Sequence, residues 1–236
     1  MLDCDQMASL LKISGWLGVG LLATGVFLYW REKKLQGLGG HRYMAGRFAE
    51  APVIDSYSDG NMQTVLRASP NMPIQQRIAS IQRMVEKSVQ DPEMRKLAGS
   101  LTRHCGDRDG MCEAKAIYKA VKKRVRYVGD IAPIKMSNGD VEGIDLYQSA
   151  RRTWEMGIGD CDDQTILIET LLSSIGITAR SRVTAEEATA DDGHIYPIAL
   201  LPKFSPSYAV ALDTTLLGSN KFGVEAPAGR ITDFDA

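Results

Sequence analysis

The stretch that decides the fold is Gly157-Ile-Gly-Asp-Cys-Asp-Asp-Gln164, which leads directly into a periodic apolar run. Asp160 is a suitable N-cap and Gly176 follows the last apolar position, so the sequence predicts a helix that begins at Cys161. A thiol on the first turn of a helix feels the positive end of the helix dipole, so we expect a lowered pKa for Cys161. The buried side of this helix is predicted to consist of Ile166, Leu167, Leu171, Leu172 and Ile175.

A histidine and an aspartate follow this helix, each on or beside a strand-like run. His194 opens a run that ends at Leu201, and Asp213 follows a shorter run that begins at Tyr208. If a hairpin joins the two runs, Asp213 lies beside His194 at the edge of the sheet that faces the helix. A nucleophilic thiol needs a base, and the base needs a group that holds it in one tautomer. The sequence therefore predicts a site formed by Cys161, His194 and Asp213.

The rest of the chain predicts helices first and antiparallel strands afterwards. Apolar periodicity predicts a helix over 73–90, Asp91-Pro92 starts a second, and Asp109 caps a third. Residues 131–152 are expected to form a long loop that lines the substrate cleft, and 177–183 alternate as a strand does. This order indicates an α+β domain with helices packed on a small antiparallel sheet.

An uncharged run from Ile13 to Trp30 precedes this domain. As a helix it would be roughly 27 Å long, close to the thickness of a thin bilayer. We therefore expect one transmembrane helix, with a buried hairpin or a helix inside a virion as the alternative. Arg31, Lys33 and Lys34 follow the run, and this positive flank predicts that the C-terminal domain lies in the cytoplasm. Lys12 on the other flank reduces the difference in positive charge between the two sides.

These patterns divide the chain into five parts. They are an N-terminal flank over 1–12, a transmembrane helix over 13–30, a tether over 31–72, the α+β domain over 73–215 and an irregular C-terminal tail over 216–236. The chain has 236 residues and a net charge of −1, which gives no reason to expect a nucleic-acid partner.

Two small clusters raise the question of metal binding. Cys105 and Cys112 would pair in an exported domain and stay free thiols in the cytosol. His104 lies beside them, but a single pair of cysteines is weak evidence for a metal site. The carboxylates around Cys161 are interpreted as helix capping rather than a calcium site. No metal and no cofactor are expected.

Four segments together resemble the transglutaminase-like superfamily of papain-related cysteine enzymes, over about 116–215. The resemblance implies that Cys161 is the nucleophile, His194 the general base and acid, and Asp213 the orienting residue. Tyr196 stands where members often carry tryptophan. The oxyanion donor is left open between the backbone N–H of Cys161 and the side chains of Gln148 or Trp154. The four segments are Gly159–Gln164, Leu171–Arg180, Gly193-His194 and Leu212–Thr215, and the resemblance extends back through Ile117–Val121 and Val125–Val128.

The function implied by this resemblance is that of a membrane-anchored cysteine protease or amidase. It would act on a peptide or glutamine amide of a protein substrate through a thioester, which water or a lysine amine then resolves. The alternative is a non-catalytic structural or assembly protein, for example a bacteriophage virion component with assembly partners. A peptide:N-glycanase role is less favoured, because the zinc-binding cysteine pairs often seen in those enzymes are missing.

Overall fold

Helix Cys161–Ser174 lies at the centre of the fold, between four other helices and a four-stranded sheet. Its residues from Asp162 to Leu172 are all buried, so it is covered on every side rather than on one apolar stripe. The apolar positions predicted from the sequence form the middle of the core, where Ile166, Leu167, Leu171 and Leu172 have no exposed surface. The computed structural model describes residues 55–58, 64–68, 73–130, 134–135, 141–142, 145–185, 193–216, 221–225 and 228–235.

The helices and strands are numbered here in chain order. The helices are α1 (Ile74–Val89), α2 (Pro92–Thr102), α3 (Gly110–Arg124), α4 (Ala150–Met156) and α5 (Cys161–Ser174). The strands are β1 (Asp55–Ser58), β2 (Thr64–Ala68), β3 (Arg126–Tyr127), β4 (Ile134–Lys135), β5 (Val141–Glu142), β6 (Asp145–Gln148), β7 (Ile158–Gly159), β8 (Ala179–Ala185), β9 (His194–Leu201), β10 (Tyr208–Ala211) and β11 (Arg230–Asp235).

The predicted caps start the helices. Asp91 accepts a hydrogen bond from the backbone N–H of Glu93 at 2.9 Å, with Pro92 at the first position of α2. Asp109 accepts from the backbone N–H of Cys112 at 3.0 Å and so caps α3. The helices α1, α2, α3 and α4 all pack against α5. The predicted mixture of helices and a small antiparallel sheet is therefore the observed architecture.

The main sheet has the order β10-β9-β8-β11, and all its neighbours are antiparallel. Val183 of β8 pairs with Ile195 of β9 on one side and with Thr232 of β11 on the other. Since Arg230–Asp235 forms an edge strand, the prediction of an irregular tail over 216–236 was wrong for this part. Arg182 holds the strand in place through a buried ion pair with Asp233, with Nε and Oδ1 2.6 Å apart.

Two further boundaries differ from the predictions. The predicted tether over 31–72 contains β1 and β2, which pair with each other, and β2 also pairs with β6 to give a three-stranded sheet. The predicted loop over 131–152 contains β4, β5 and β6 and the start of α4, whose N-cap is Ser149. These segments lack the long periodic runs that reveal helices, and their strands are stabilised by partners distant in the chain.

No helix in the part of the chain that the structure describes is both long and apolar enough to span a bilayer. The predicted transmembrane run from Ile13 to Trp30 lies outside the described residues.

Candidate active site

Cys161 lies on the first turn of α5, which the preceding backbone positions tightly. Oδ1 of Asp160 accepts hydrogen bonds from the backbone N–H groups of Asp162 at 3.1 Å and Asp163 at 3.2 Å, as an N-cap should. Before the cap, β7 runs parallel to β3, and the N–H of Val128 donates to the carbonyl of Gly159 at 3.2 Å. A Cβ on Gly159 would come within 2.7 Å of Asp163 Cβ, so this close approach needs glycine.

His194 and Asp213 are joined by a hydrogen bond. Nε2 of His194 lies 2.7 Å from Oδ2 of the buried Asp213. Oδ1 of Asp213 accepts from the backbone N–H groups of Thr215 and Leu216 at 2.9 and 3.0 Å. Burial alone would raise the pKa of Asp213, but the hydrogen bonds from His194 and Thr215 outweigh it and hold the pKa below its ordinary value. Asp213 is therefore ionised at neutral pH.

The thiol of Cys161 lies against the start of β9. Its sulfur accepts a hydrogen bond from the backbone N–H of Ile195, the residue that follows His194. Among the described residues, Nδ1 of His194 has no hydrogen-bond partner, whereas Nε2 is engaged by Asp213. The structure thus places the three predicted residues at one end of the sheet and leaves Nδ1 of His194 without a hydrogen-bond partner in the described ranges.

The pKa of Cys161 differs from the expectation of a helix-dipole effect. Burial raises the pKa of the thiol well above its ordinary value, and the nearby carboxyl groups of Asp162 and Asp160 raise it further. The Cys161 thiol donates a hydrogen bond to Oδ1 of Asp162, with sulfur and oxygen 3.7 Å apart. The N–H of Ile195 acts in the opposite direction but is outweighed. The expected lowered pKa was wrong because desolvation and the charges of Asp162 and Asp160 raise it.

Tyr196 packs beside the imidazole. Its ring centroid lies 5.4 Å from that of His194, and the two planes are inclined by 35°. The Tyr196 side chain is buried, and its hydroxyl donates to Oε2 of Glu225 at 3.4 Å. Tyr196, which stands where members of the superfamily often carry tryptophan, therefore packs its ring beside the imidazole.

Residues 95–205, which include Cys161 and His194, match the sequence model of the transglutaminase-like superfamily. This domain belongs to that superfamily. The match ends before Asp213, so the partner of the imidazole rests on the structure alone.

Two solved structures are similar to the transglutaminase-like domain. A candidate protease from Parabacteroides distasonis is 14% identical, with a TM-score of 0.42, over 59% of this chain and 30% of that chain. A candidate cysteine protease from Cytophaga hutchinsonii is 18% identical, with a TM-score of 0.40, over 65% of this chain and 50% of that chain. The match thus spans no more than half the length of either neighbour. No curated protein matches the sequence.

The two side chains suggested as oxyanion donors both contact other parts of the transglutaminase-like domain, Gln148 through its amide and Trp154 through its ring. The Gln148 amide donates to Oδ2 of Asp163 at 2.6 Å, and its backbone N–H donates to Oδ1 at 2.7 Å. The Trp154 ring lies under the guanidinium of Arg124, with 4.9 Å between Cζ and the ring centroid. Gln148 therefore fixes the chain before α4 to the first turn of α5, and Trp154 packs against α3.

A cluster of carboxyl groups beside the nucleophile was missed by the sequence analysis. Asp130 and Asp145 join the three aspartates that surround Cys161, and their charges interact. Burial and then Asp160 raise the pKa of Asp130 to about 7. Arg77 of α1 partly balances the cluster through an ion pair with Asp145 at 2.8 Å. These residues come from separate elements, so no spacing in the sequence reveals them.

Cys105 and Cys112 form a disulfide across the turn between α2 and α3, with their Cα atoms 5.7 Å apart. Together with His104 they are the one group, within the described ranges, whose ligand atoms lie close enough to share a metal ion. In the disulfide both sulfurs are joined to each other, so the imidazole alone is left as a ligand.

Proposed function

We propose that this protein is a cysteine-dependent amide hydrolase or acyl transferase with Cys161 as nucleophile. The 2.7 Å hydrogen bond between His194 and Asp213, beside a thiol that contacts the next residue of β9, is the observation that carries the proposal. Asp213 would hold the imidazole in one orientation and stabilise its protonated form. His194 would act as base and acid through Nδ1.

The reaction would proceed through a thioester. His194 takes the proton of the Cys161 thiol, and the sulfur attacks the amide carbonyl to form a tetrahedral intermediate. The imidazolium then gives its proton to the leaving amine as the carbon–nitrogen bond breaks. Water or a primary amine attacks the thioester, His194 accepts a proton from it, and the Cys161 sulfur leaves.

The raised thiol pKa makes the base indispensable in this scheme. A neutral, half-buried thiol near carboxyl groups forms little thiolate on its own at neutral pH. Transfer of its proton to His194 creates an ion pair that Asp213 stabilises. The backbone N–H of Cys161 is the proposed oxyanion donor, because an N–H on the first turn has no acceptor within its helix.

The same raised pKa favours a second candidate function. A half-buried thiol with a raised pKa is also what a structural or assembly protein would retain if it kept the fold without the chemistry. A virion component is one such possibility. In either case the anchoring of the chain in a bilayer through residues 13–30 is a proposal that rests on the sequence.

The side of the membrane is a separate question. The charged flanks of residues 13–30 favour the cytoplasm, whereas disulfides form and persist in oxidising compartments. The Cys105–Cys112 bond therefore favours the opposite side.

The proposal is tested by incubating the full chain with a library of glutamine-containing peptides and a biotinylated primary amine. New peptide termini indicate hydrolysis of the backbone, a gain of one mass unit on glutamine indicates deamidation, and biotin incorporation indicates transfer. Cys161→Ala is the matched control and should abolish each signal. No product from the wild-type chain on any peptide would favour the structural role.

A further inference from the structure

Gln164 connects the two halves of the candidate site through both ends of its side-chain amide. It lies on the first turn of α5 and is buried. Its Nε2 donates to the carbonyl of Gly159 at 3.0 Å. Its Oε1 accepts from the Thr214 hydroxyl at 2.7 Å. One side chain therefore connects the residues before Cys161 with the segment that carries Asp213.

Both contacts are adjacent to residues of the site. Gly159 lies two positions before Cys161, and Thr214 immediately follows Asp213. The sheet ladder of β10 ends at Ala211, so it does not extend to Thr214. The position of this segment therefore depends on side-chain contacts, of which the bond from Thr214 to Gln164 is buried.

A second helix holds the same residue. Nζ of Lys122 on α3 donates to the backbone carbonyl of Thr214 at 2.6 Å. Thr214 is thus bound through its side chain to α5 and through its backbone to α3. With both contacts made, the Asp213 carboxylate is held where it meets His194.

The chemistry of the position requires an amide. The Gly159 carbonyl accepts a second hydrogen bond here, beside that from the N–H of Val128, and the Thr214 hydroxyl needs an acceptor; a glutamine side chain supplies both the donor and the acceptor. A glutamate would offer only acceptors when ionised and would place a charge in a buried site. An apolar side chain of similar length would leave the Thr214 hydroxyl and the Gly159 carbonyl without these partners.

We infer that Gln164 and Thr214 are positioning residues, which fix the Asp213–His194 pair relative to Cys161. We call the two hydrogen bonds of the Gln164 side chain, to Gly159 and to Thr214, the clamp. That the clamp supports catalysis rests on the proposed function, whereas its existence rests on the structure alone. Neither residue contacts the reacting atoms in this scheme. Their loss would act through Asp213, whose hydrogen bond orients the imidazole.

The test compares Thr214→Val with Thr165→Val in the full chain. Both changes remove a buried threonine hydroxyl, but that of Thr165 has no hydrogen-bond partner. Thr214→Ser restores the hydroxyl and serves as the rescue variant. Two properties are measured for each protein: the pH profile of Cys161 alkylation, and hydrogen exchange of the Thr215 and Leu216 amides, which donate to Asp213.

We expect Thr214→Val to lower the alkylation rate of Cys161 about tenfold at neutral pH, because small displacements of positioned groups carry large rate costs. Exchange protection of the Thr215 and Leu216 amides should fall about tenfold as well. Thr165→Val and Thr214→Ser should leave both properties near those of the wild type.

The two proposals fail in different ways. Unchanged amide protection in Thr214→Val overturns the clamp, whatever the reactivity of Cys161. Lost protection with an unchanged alkylation profile overturns its positioning role. A third outcome combines two results: Thr214→Val loses protection of the Thr215 and Leu216 amides, and Cys161 of the wild type reacts as fast as in His194→Ala. The clamp is then a structural contact only, and both the proposed function and the positioning role are contradicted.

Discussion

Asp213 holds His194 through one carboxylate oxygen while the other is fixed by the backbone. Oδ2 lies 2.7 Å from Nε2 of His194, and Oδ1 accepts from the amides of Thr215 and Leu216. The carboxylate therefore cannot rotate without losing several hydrogen bonds. This arrangement directs Nδ1 of the imidazole away from Asp213 and leaves it free for the chemistry proposed for Cys161.

Asp213→Asn should uncouple the imidazole from this support. An asparagine that keeps the backbone contacts through its oxygen presents an NH2 group to Nε2, which favours the wrong tautomer of His194. We expect the turnover attributed to Cys161 to fall by about 10²- to 10⁴-fold, as in other triads. The measurement is the rate of product formation on any peptide identified in the library experiment. A loss of less than about threefold would show that Asp213 has no orienting role.

Asp162→Asn should lower the pH at which the Cys161 thiolate forms. The ionised carboxyl of Asp162 disfavours the nearby thiolate, and the amide removes that charge. Because burial and Asp160 raise the pKa of Asp162, its carboxyl is largely protonated at low pH. The variant should therefore differ least from the wild type at low pH and react faster at high pH, where the wild-type carboxyl is ionised, with the midpoint of its alkylation profile about one pH unit lower.

The matched control for Asp162→Asn is Asp107→Asn, which removes an exposed carboxyl from the turn between α2 and α3. In each protein the alkylation of Cys161 is measured separately from that of the other cysteines, from the mass of the peptide that contains it. Identical profiles for Asp162→Asn and the wild type would show that the carboxyl does not influence the thiol.

The helix that carries the nucleophile was predictable because all its signals are local. Asp160 supplies the cap, the apolar spacing supplies the buried surface, and Gly176 follows the end, where its φ of 78° suits glycine. The hairpin of β9 and β10 was predictable from two strand-like runs and from the turn between them. The meeting of Cys161, His194 and Asp213 follows from these elements once the family resemblance supplies their arrangement.

What could not be predicted depends on contacts between distant segments. The edge strand β11 is stabilised by β8 and by the ion pair of Arg182 with Asp233, and neither partner is near it in the chain. The pKa of Cys161 depends on how deeply the thiol is buried, which the helix start alone does not determine. Gln148 reads as a polar residue before a cap, and only the fold shows that Asp163 binds it.

Glu169→Gln should make the protein more stable at alkaline pH. Glu169 is fully buried on α5, where Ser181 donates to one oxygen at 2.7 Å and the other has no partner. Burial raises its pKa from 4.5 to about 7. A carboxyl with a raised pKa in the folded state favours folding below pH 4.5, and this contribution is lost as the pH rises to 7.

The free energy of unfolding of Glu169→Gln, relative to that of the wild type, should be larger at pH 8 than at pH 4 by at most roughly 3 kcal/mol. This follows from about 1.4 kcal/mol for each pH unit by which the pKa is raised. Urea unfolding at the two pH values measures the difference. Glu86→Gln, an exposed change on α1, controls for the loss of a negative charge. An equal effect of Glu169→Gln at both pH values would contradict the raised pKa.

The double change Cys105→Ser with Cys112→Ser should destabilise the transglutaminase-like domain by about 2 kcal/mol, because the short loop between the two cysteines gains freedom in the unfolded chain. Urea unfolding of the oxidised wild type and of the double variant measures the difference. A reductant should lower the stability of the wild type to about that of the variant and leave the variant unchanged. If the oxidised wild type and the variant unfold at the same urea concentration, the disulfide contributes nothing.

The most direct test of the central claim is site-resolved alkylation of Cys161 in the full chain at pH 6. Limiting iodoacetamide is applied to the wild type and to His194→Ala, and Cys161 is read by peptide mass. If His194 converts the thiol to a thiolate, Cys161 in the wild type reacts at least tenfold faster than in His194→Ala, even though burial alone disfavours the thiolate. Equal rates in the two proteins would contradict a catalytic pair and favour a structural role.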